Sequence, residues 1–161
     1  MGSDAAQKRG HIAYNEKELL LGLKMIDRLE KVTDMMLYFL DRQHIKFTYI
    51  LICADDENFE SFLREEKRDT DLLIPMDREQ TLYAIVCQET DIEGGYRFAE
   101  RIIRLLDISE YRECLYCSVL TVSSARYSVR QIVFRLLEAH LELKRKDPAE
   151  RHTQIEFRTL S

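Results

Sequence analysis

The chain has 161 residues, of which 45% are hydrophobic and 33% charged, and its formal net charge is −5. This length is enough to bury the core of one domain without disulfide or metal support. The acidic balance argues against non-specific nucleic-acid binding, which depends on neutralising phosphates. No run reaches the ~20 apolar residues of a membrane-spanning helix, and the polar first ten residues contain no signal-peptide segment. We therefore expect no nucleic-acid partner and no membrane segment within this chain.

The four cysteines point to buried thiols rather than to a disulfide or metal framework. Cys53, Cys87 and Cys117 lie inside apolar runs, where a reduced thiol behaves as a small hydrophobic group. Cys114 and Cys117 form a single CxxC pair, but a zinc site requires a second ligand pair at suitable spacing. We expect no metal and no cofactor, and the reduced thiols favour a cytoplasmic location.

The N-terminal part of the chain divides into two segments. Residues 1–14 are expected to be flexible or a cloning remnant. Residues 15–43 are predicted to form a connector helix, because Asn15 and Glu18 fit a capping box and apolar residues recur at steps of three and four. These apolar residues are Leu19, Leu23, Ile26, Leu29, Val32, Met36 and Phe39. The pattern allows either a helix packed on the domain or a dimerisation helix that leads in from an upstream sensor.

Residues 44–161 are predicted to form one α+β domain with the element order β-α-β-β-α-β-α-β. Near-continuous apolar runs such as FTYILICA are typical of strands covered on both faces. The predicted strands are 47–54, 72–74, 81–87, 114–123 and 153–157, the last at a sheet edge. The predicted helices are 57–67, 91–106 and 128–145, and 75–79 is predicted to be a hairpin connection. This order favours a mixed central sheet with flanking helices, as in ferredoxin-like and nucleotide-cyclase palm folds.

Several segments of the chain resemble one known family. The strand and acidic turn ILICADDENF, the run YAIVCQETD followed by GGYRFAERI, and the later strand SVLTVSSA occur in the same order as in that family. Together they resemble a GGDEF domain, the nucleotide-cyclase-like module of bacterial cyclic di-GMP signalling, over roughly residues 46–158. The resemblance implies a cyclase-type fold for 44–161.

The chain departs from this family at the positions that carry catalysis. The resemblance places Glu79-Gln80-Thr81-Leu82-Tyr83 where the family has its GGDEF turn. Glycines there allow the nucleotide to approach the backbone, and carboxylates bind magnesium, which threonine and leucine cannot do. The segment that holds guanine in the family is also largely missing before residue 71. The resemblance therefore implies a catalytically inactive, degenerate domain and no enzyme activity.

The acidic turn at the end of the first strand is interpreted without a metal. The resemblance puts Asp55 at the family's magnesium position, with Asp56 and Glu57 beside it. Because the partner carboxylates of the turn are lost, we interpret these acids as residues that favour a helix N-terminus.

The resemblance also implies a ligand site that survives. Arg68-Asp69-Thr70-Asp71 lies just before the hairpin, where the family binds its product cyclic di-GMP through an RxxD motif, as the degenerate PelD-type receptors do. An arginine fork can pair with a guanine edge or a phosphate, and a carboxylate can accept from guanine N–H groups. Arg101, and after it Arg97, are the predicted supporting arginines on the following helix. The alternative interpretation of 68–71 is a solvated charged turn.

Two functions remain open from the sequence. The first is an inactive GGDEF-like receptor that binds cyclic di-GMP and relays the signal to a protein partner or upstream sensor, with regulation of polysaccharide export as a possible context. The second is a structural or dimerisation module of a bacterial signalling protein that binds no nucleotide. An unrelated enzyme is a weaker third hypothesis, because no P-loop, HExxH or nucleophile-elbow motif is present.

Overall fold

The computed structural model describes residues 13–54, 57–79, 81–109, 115–146 and 155–161. Within these residues the predicted order of elements is confirmed. The helices are α1 (Glu16–Gln43), α2 (Phe59–Glu66), α3 (Ile92–Ser109) and α4 (Val129–Arg145). The strands are β1 (Phe47–Ala54), β2 (Leu72–Asp77), β3 (Leu82–Gln88), β4 (Leu115–Val122) and β5 (Ile155–Leu160).

The five strands form one mixed sheet in the order β2-β3-β1-β4-β5. Three neighbouring pairs are antiparallel, whereas β4 and β5 run parallel. Central β1 is buried along its whole length, as its uninterrupted apolar sequence predicts. In the β1–β3 register Phe47 lies opposite Gln88 at one end and Cys53 opposite Leu82 at the other. The start of β1 and the end of β3 therefore share one end of the sheet.

Helices cover both faces of the sheet, and each face has its own hydrophobic core. Because side chains alternate along a strand, Tyr49 and Leu51 of β1 pack with residues of α1 and α4. Ile50 and Ile52 point the other way and pack with residues of α2 and α3. The domain is thus a three-layer α/β/α arrangement with β1 at its centre.

Helix α1 has the predicted capping box at Asn15 and Glu18, but its buried face is rotated from the predicted one. Leu19 is 46% exposed and Leu23 is 61% exposed. The buried positions are Gly22, Met25, Leu29, Thr33, Met36 and Leu40. Two small or polar residues explain the rotation. Gly22 lets α1 approach α4 closely, and the Thr33 hydroxyl forms a hydrogen bond with the phenol of Tyr49.

The β2–β3 connection is shorter than predicted. Instead of ending before Pro75, β2 continues to Asp77 through an irregularity in pairing between Pro75 and Asp77. A proline is accommodated there because β2 is an edge strand. The turn that follows is closed by a hydrogen bond from Thr81 N to Arg78 O, and Thr81 has a left-handed φ of 51°.

Other boundaries differ from the prediction by a few residues, as at both ends of α2 and at β5, which is an edge strand as expected. Residues 1–12, the acids Asp55 and Asp56, and Cys114 lie outside the described residues, so the predictions made for them have no structural counterpart. In the part of the chain that is described, no helix combines the length and apolar character needed to cross a bilayer.

Candidate functional site

A cavity of about 750 Å³ opens at the end of the sheet where β1 begins and β3 ends. Its walls come from the α1–β1 junction, the α2–β2 loop, the β3–α3 segment and the first turns of α3. All four residues predicted as ligand-binding line it, namely Arg68, Asp71, Arg97 and Arg101. The β1–β3 register brings these sequence-distant segments together, because it fixes Gln88 beside Phe47.

Arg68 and Asp71 form a close ion pair at the floor of this cavity. Arg68 Nη2 lies 2.8 Å from Asp71 Oδ1, and Arg68 Nε donates to both carboxylate oxygens at 3.1 and 3.2 Å. The backbone N–H of Arg68 also donates to Oδ2 at 2.9 Å, and the N–H of Asp71 donates to the carbonyl of Arg68 at 3.0 Å. The loop is thereby folded into a compact turn whose two side chains hold each other.

The guanidinium of Arg68 is also anchored to the β3–α3 segment. Its Nη2 donates to the carbonyl of Gln88 at 2.9 Å and to the hydroxyl of Thr90 at 2.7 Å. The Thr90 hydroxyl donates in turn to the Gln88 carbonyl, and the Thr90 carbonyl accepts from the Thr48 hydroxyl of β1 at 2.7 Å. The hydrogen bonds with Asp71 raise the pKa of Arg68, against the opposing effect of burial. The cation is therefore held in one orientation by a network that reaches the sheet.

The two members of the pair differ in exposure. The Asp71 side chain is 0% exposed, whereas the Arg68 side chain is 51% exposed. The Asp71 oxygens are occupied by Arg68, so in this conformation the carboxylate orients the arginine rather than facing the cavity. Nη1 of Arg68 has no hydrogen bond to any described residue and is the donor that remains for a bound molecule. The sequence-based expectation that Asp71 contacts a guanine would require this pair to open.

Helix α3 carries the two supporting arginines along one wall. The Arg97 side chain is 81% exposed, and its contact with Glu93 is long, at 3.9 Å. Arg101 donates from Nη2 to the carbonyl of Glu66 at 2.8 Å, and its guanidinium lies over the ring of Phe98, 5.1 Å from the centroid. Arg97 thus contributes the less engaged positive charge, and Arg101 is fixed between α2 and Phe98.

Sequence reasoning missed several residues that line the same cavity, among them Lys46, Phe98 and Thr90. Phe98 offers a partly exposed ring, and flat aromatic rings are suited to stacking on nucleobases. Lys46 directly precedes β1, and Thr90 lies between β3 and α3. These elements were predicted from the sequence, but nothing in the spacing of the two residues indicates that they lie close together. Only the pairing of β1 with β3 reveals it.

Two other cavity residues have structural roles. Asp91 accepts from the N–H of Gly94 at 2.8 Å and so caps α3, as predicted. Burial raises the pKa of the Cys87 thiol to about 12, which keeps it protonated and unreactive at neutral pH. Cys53 and Cys117 are likewise buried. Among the described residues, no three His, Cys, Asp or Glu side chains are grouped as metal ligands.

The β2–β3 turn lies at the opposite end of the sheet. Leu82, which the resemblance places in the family's catalytic turn, is 1% exposed and packs in the core. Tyr83 packs edge-on against Phe59 with 5.7 Å between ring centroids. Six residue steps along β1 separate Phe47 from Cys53, so the turn is about 20 Å from the cavity. The two ends of the sheet are therefore separate sites.

No protein-family model and no curated protein matches this chain. Among solved structures the chain is similar to the active GGEEF domain of a diguanylate cyclase from Vibrio cholerae, with a TM-score of 0.59 and 15% sequence identity. The superposition covers 79% of this chain and 90% of that domain. At this identity the likeness concerns the fold, and it agrees with the five-stranded mixed sheet and its flanking helices. The chain therefore has the α+β fold of a GGDEF-type cyclase domain, with the long helix α1 in front.

Proposed function

We propose that this chain is a cyclic di-GMP receptor domain without cyclase activity. The ligand occupies the cavity lined by Arg68, Arg97 and Arg101, and Asp71 holds Arg68 in its binding orientation. Occupancy is passed on to a protein partner, as in the PelD-type receptors that the sequence resembles. The proposal depends mainly on one observation. Residues of the 68–71 loop and of α3 that were selected from the sequence alone line the same cavity.

The composition of the cavity supports an anionic ligand with aromatic bases. With Lys46, the three arginines outnumber the three carboxylates of the lining, which belong to Asp71, Glu89 and Asp91. Planar guanidinium groups pair well with phosphate oxygens and with the O6/N7 edge of guanine. Phe98 supplies a ring for stacking. A volume of about 750 Å³ is within the usual range for small-ligand sites, roughly 300–1,000 Å³. The solved structure that the chain resembles in fold is a diguanylate cyclase domain, which acts on guanine nucleotides.

The proposed lack of cyclase activity is supported by the other end of the sheet. Phosphoryl transfer depends on metal ions that neutralise the developing charge. Leu82 is packed inside the core, so the turn offers a hydrocarbon where the family has a carboxylate. Thr81 has a left-handed φ of 51° in this turn and offers a hydroxyl where the family has a second carboxylate. We expect no cyclic di-GMP to form from GTP with magnesium or manganese, measured by chromatography.

Titration calorimetry with cyclic di-GMP tests the binding proposal. Replacing Arg68 with alanine should weaken binding by about 10- to 100-fold, since it removes a charge-assisted hydrogen bond. Arg68→Lys keeps the charge but loses the fork geometry, and should weaken binding to an intermediate extent. Arg104→Ala is the matched control. Arg104 lies on α3, begins a second RxxD sequence, and pairs with Glu100 at 2.6 Å without lining the cavity.

Equal affinities for wild type, Arg68→Ala and Arg104→Ala would contradict the proposed site. Absence of any heat at high micromolar ligand would contradict cyclic di-GMP binding altogether. Thermal melts of each variant without ligand show whether a loss of affinity reflects a loss of folding. This control matters because removing Arg68 leaves the buried Asp71 carboxylate without its partner.

A second candidate function is a dimerisation module, and one observation favours it. Leu19, Leu20 and Leu23 near the start of α1 are 46%, 57% and 61% exposed. Grouped exposed leucines on a helix are a common feature of helix–helix interfaces. Sedimentation of wild type and a Leu20→Glu/Leu23→Glu variant tests this function, with a monomer at all concentrations as the contradicting result.

A further inference from the structure

The α1–β1 junction forms a wall of the cavity that neither the sequence motif nor the fold similarity points to. It consists of His44, Ile45 and Lys46. His44 ends α1 in a left-handed conformation, with φ of 57°, and its N–H donates to the carbonyl of Leu40 at 2.9 Å. The junction is therefore a defined turn that joins the last turn of α1 directly to the first residue of β1.

The Lys46 backbone is fixed beside Arg68 through a shared partner. The Lys46 carbonyl accepts from the N–H of Thr90 at 3.3 Å, and the hydroxyl of Thr90 accepts from Arg68 Nη2 at 2.7 Å. Side chains along a strand alternate between faces, and Thr48 points toward α3, where its hydroxyl bonds to the Thr90 carbonyl. Lys46 continues this alternation, which agrees with its place in the cavity lining on the α3 side.

Lys46 is also the cavity cation with the least competition for its charge. Arg68 is paired with the carboxylate of Asp71. Arg101 Nη2 donates to the backbone carbonyl of Glu66 at 2.8 Å and lies 3.9 Å from Oε2 of the same residue. Lys46 is exposed and has no ion pair with any residue that the structure describes. A bound phosphate at Lys46 would not have to displace an existing carboxylate, so the interaction would carry little penalty.

We infer that Lys46 binds a phosphate of the ligand, so that occupancy of the cavity ties the α1–β1 junction to Arg68 and α3. This inference rests on the proposed function, and it adds a binding residue and a route by which α1 responds to the ligand. A dianionic cyclic dinucleotide has one phosphate for the arginine side of the cavity and one for Lys46. The responding element is the junction, because only three residues separate the end of α1 from β1.

Calorimetry and hydrogen–deuterium exchange with cyclic di-GMP test this inference on the same samples. Lys46→Ala should weaken binding by about tenfold, and Lys46→Arg should restore most of the affinity. Lys31→Ala is the matched control, since Lys31 is exposed on α1 and does not line the cavity. Ligand should slow amide exchange in peptides covering 40–48 in wild type, and less so in Lys46→Ala at matched saturation.

The outcomes distinguish a failure of this inference from a failure of the proposed function. If wild type binds and Lys46→Ala has the affinity of Lys31→Ala, this inference is overturned while the proposed function stands. Unchanged exchange over 40–48 in the ligand-bound protein would overturn the link to α1. If wild type does not bind at all, the proposed function fails and this inference fails with it. A melting temperature of Lys46→Ala equal to that of wild type confirms that the comparison involves folded protein.

Discussion

The carboxylate of Asp71 is buried in the domain, and the guanidinium of Arg68 that it holds is half exposed in a cavity. One side chain of this pair therefore belongs to the core and the other to the candidate site. The carboxylate accepts from Arg68 Nε, Nη2 and backbone N–H, so the loop conformation and the orientation of the cation depend on the same atoms. Substitutions at the two positions should separate stability from binding.

Asp71→Asn should lower the free energy of unfolding by about 1–3 kcal/mol, because it turns charge-assisted hydrogen bonds into neutral ones and places an amide donor near Arg68 donors. Urea denaturation followed by circular dichroism measures the change. Asp69→Asn is the control, since Asp69 is exposed in the same loop and should change stability by less than about 0.5 kcal/mol. Equal effects of the two substitutions would show that the buried pair contributes nothing specific.

Thr90→Val should weaken cyclic di-GMP binding by about three- to tenfold, provided that the proposed site binds it. Valine keeps the shape but removes the hydroxyl that accepts from Arg68 at 2.7 Å, so the guanidinium loses one of its anchors and is less well oriented before binding. Thr90→Ser retains the hydroxyl and should bind nearly as wild type does. Calorimetry on all three proteins measures the affinities. A similar loss of affinity in the serine variant would show that the methyl group of Thr90, rather than its hydroxyl, is needed for binding.

Gly95→Ala should destabilise the domain by about 1–3 kcal/mol, even though alanine favours helices over glycine. A β-carbon at this position would lie 2.6 Å from Thr48 Cγ2 and 2.9 Å from Val119 Cγ1. Both neighbours are β-branched residues on central strands, which cannot move aside easily. At Gly94 the nearest atom, Thr90 Cγ2, is 3.1 Å away, so Gly94→Ala should have a smaller effect. Thermal unfolding of both variants shows which substitution lowers the melting temperature more.

His140 should make the protein less stable in acid. Burial lowers its pKa from 6.5 to about 4, with Lys144 also lowering it and Glu18 opposing the shift. Between pH 6.5 and 4 the unfolded chain takes up a proton that the folded chain refuses, so stability falls as pH falls through this window. The loss by pH 4 amounts to about 3 kcal/mol.

Urea denaturation at several pH values tests this contribution against His140→Leu. The leucine variant has no imidazole to protonate, so its stability should fall less between pH 6.5 and 4 than that of wild type. The two curves should run parallel above pH 7, where His140 is neutral in both states. Parallel curves over the whole range would show that His140 takes up its proton equally in the folded and unfolded chains.

Much of the fold was predictable because local signals were strong. The apolar run Phe47–Ala54 predicted a strand buried on both faces, and the structure buries every residue of it. The capping residues Asn15 and Asp91 marked the starts of α1 and α3. The hairpin was predicted less well, since Pro75 is a strong turn signal that an edge strand can nevertheless accommodate.

The candidate site was predictable only in part. The spacing of Arg68 and Asp71 and the family resemblance selected both residues, and the helical period placed Arg97 and Arg101 on one face. The burial of Asp71 was not foreseen, because three-residue spacing does not show which side of a turn faces the core. Lys46 and Thr90 were missed because their proximity depends on strand pairing across more than 40 residues.

The amino-acid sequence by itself determined the order of helices and strands and the buried central strand, since each depends on residues close together in the chain. The tertiary structure decided which face of α1 is buried, through Gly22 against α4 and Thr33 against Tyr49. It also decided that Arg68, Arg97 and Lys46 line one cavity. The cavity depends on the register that sets Phe47 opposite Gln88. Because β1 and β3 are not joined by a hairpin turn, no local turn in the sequence fixes that register.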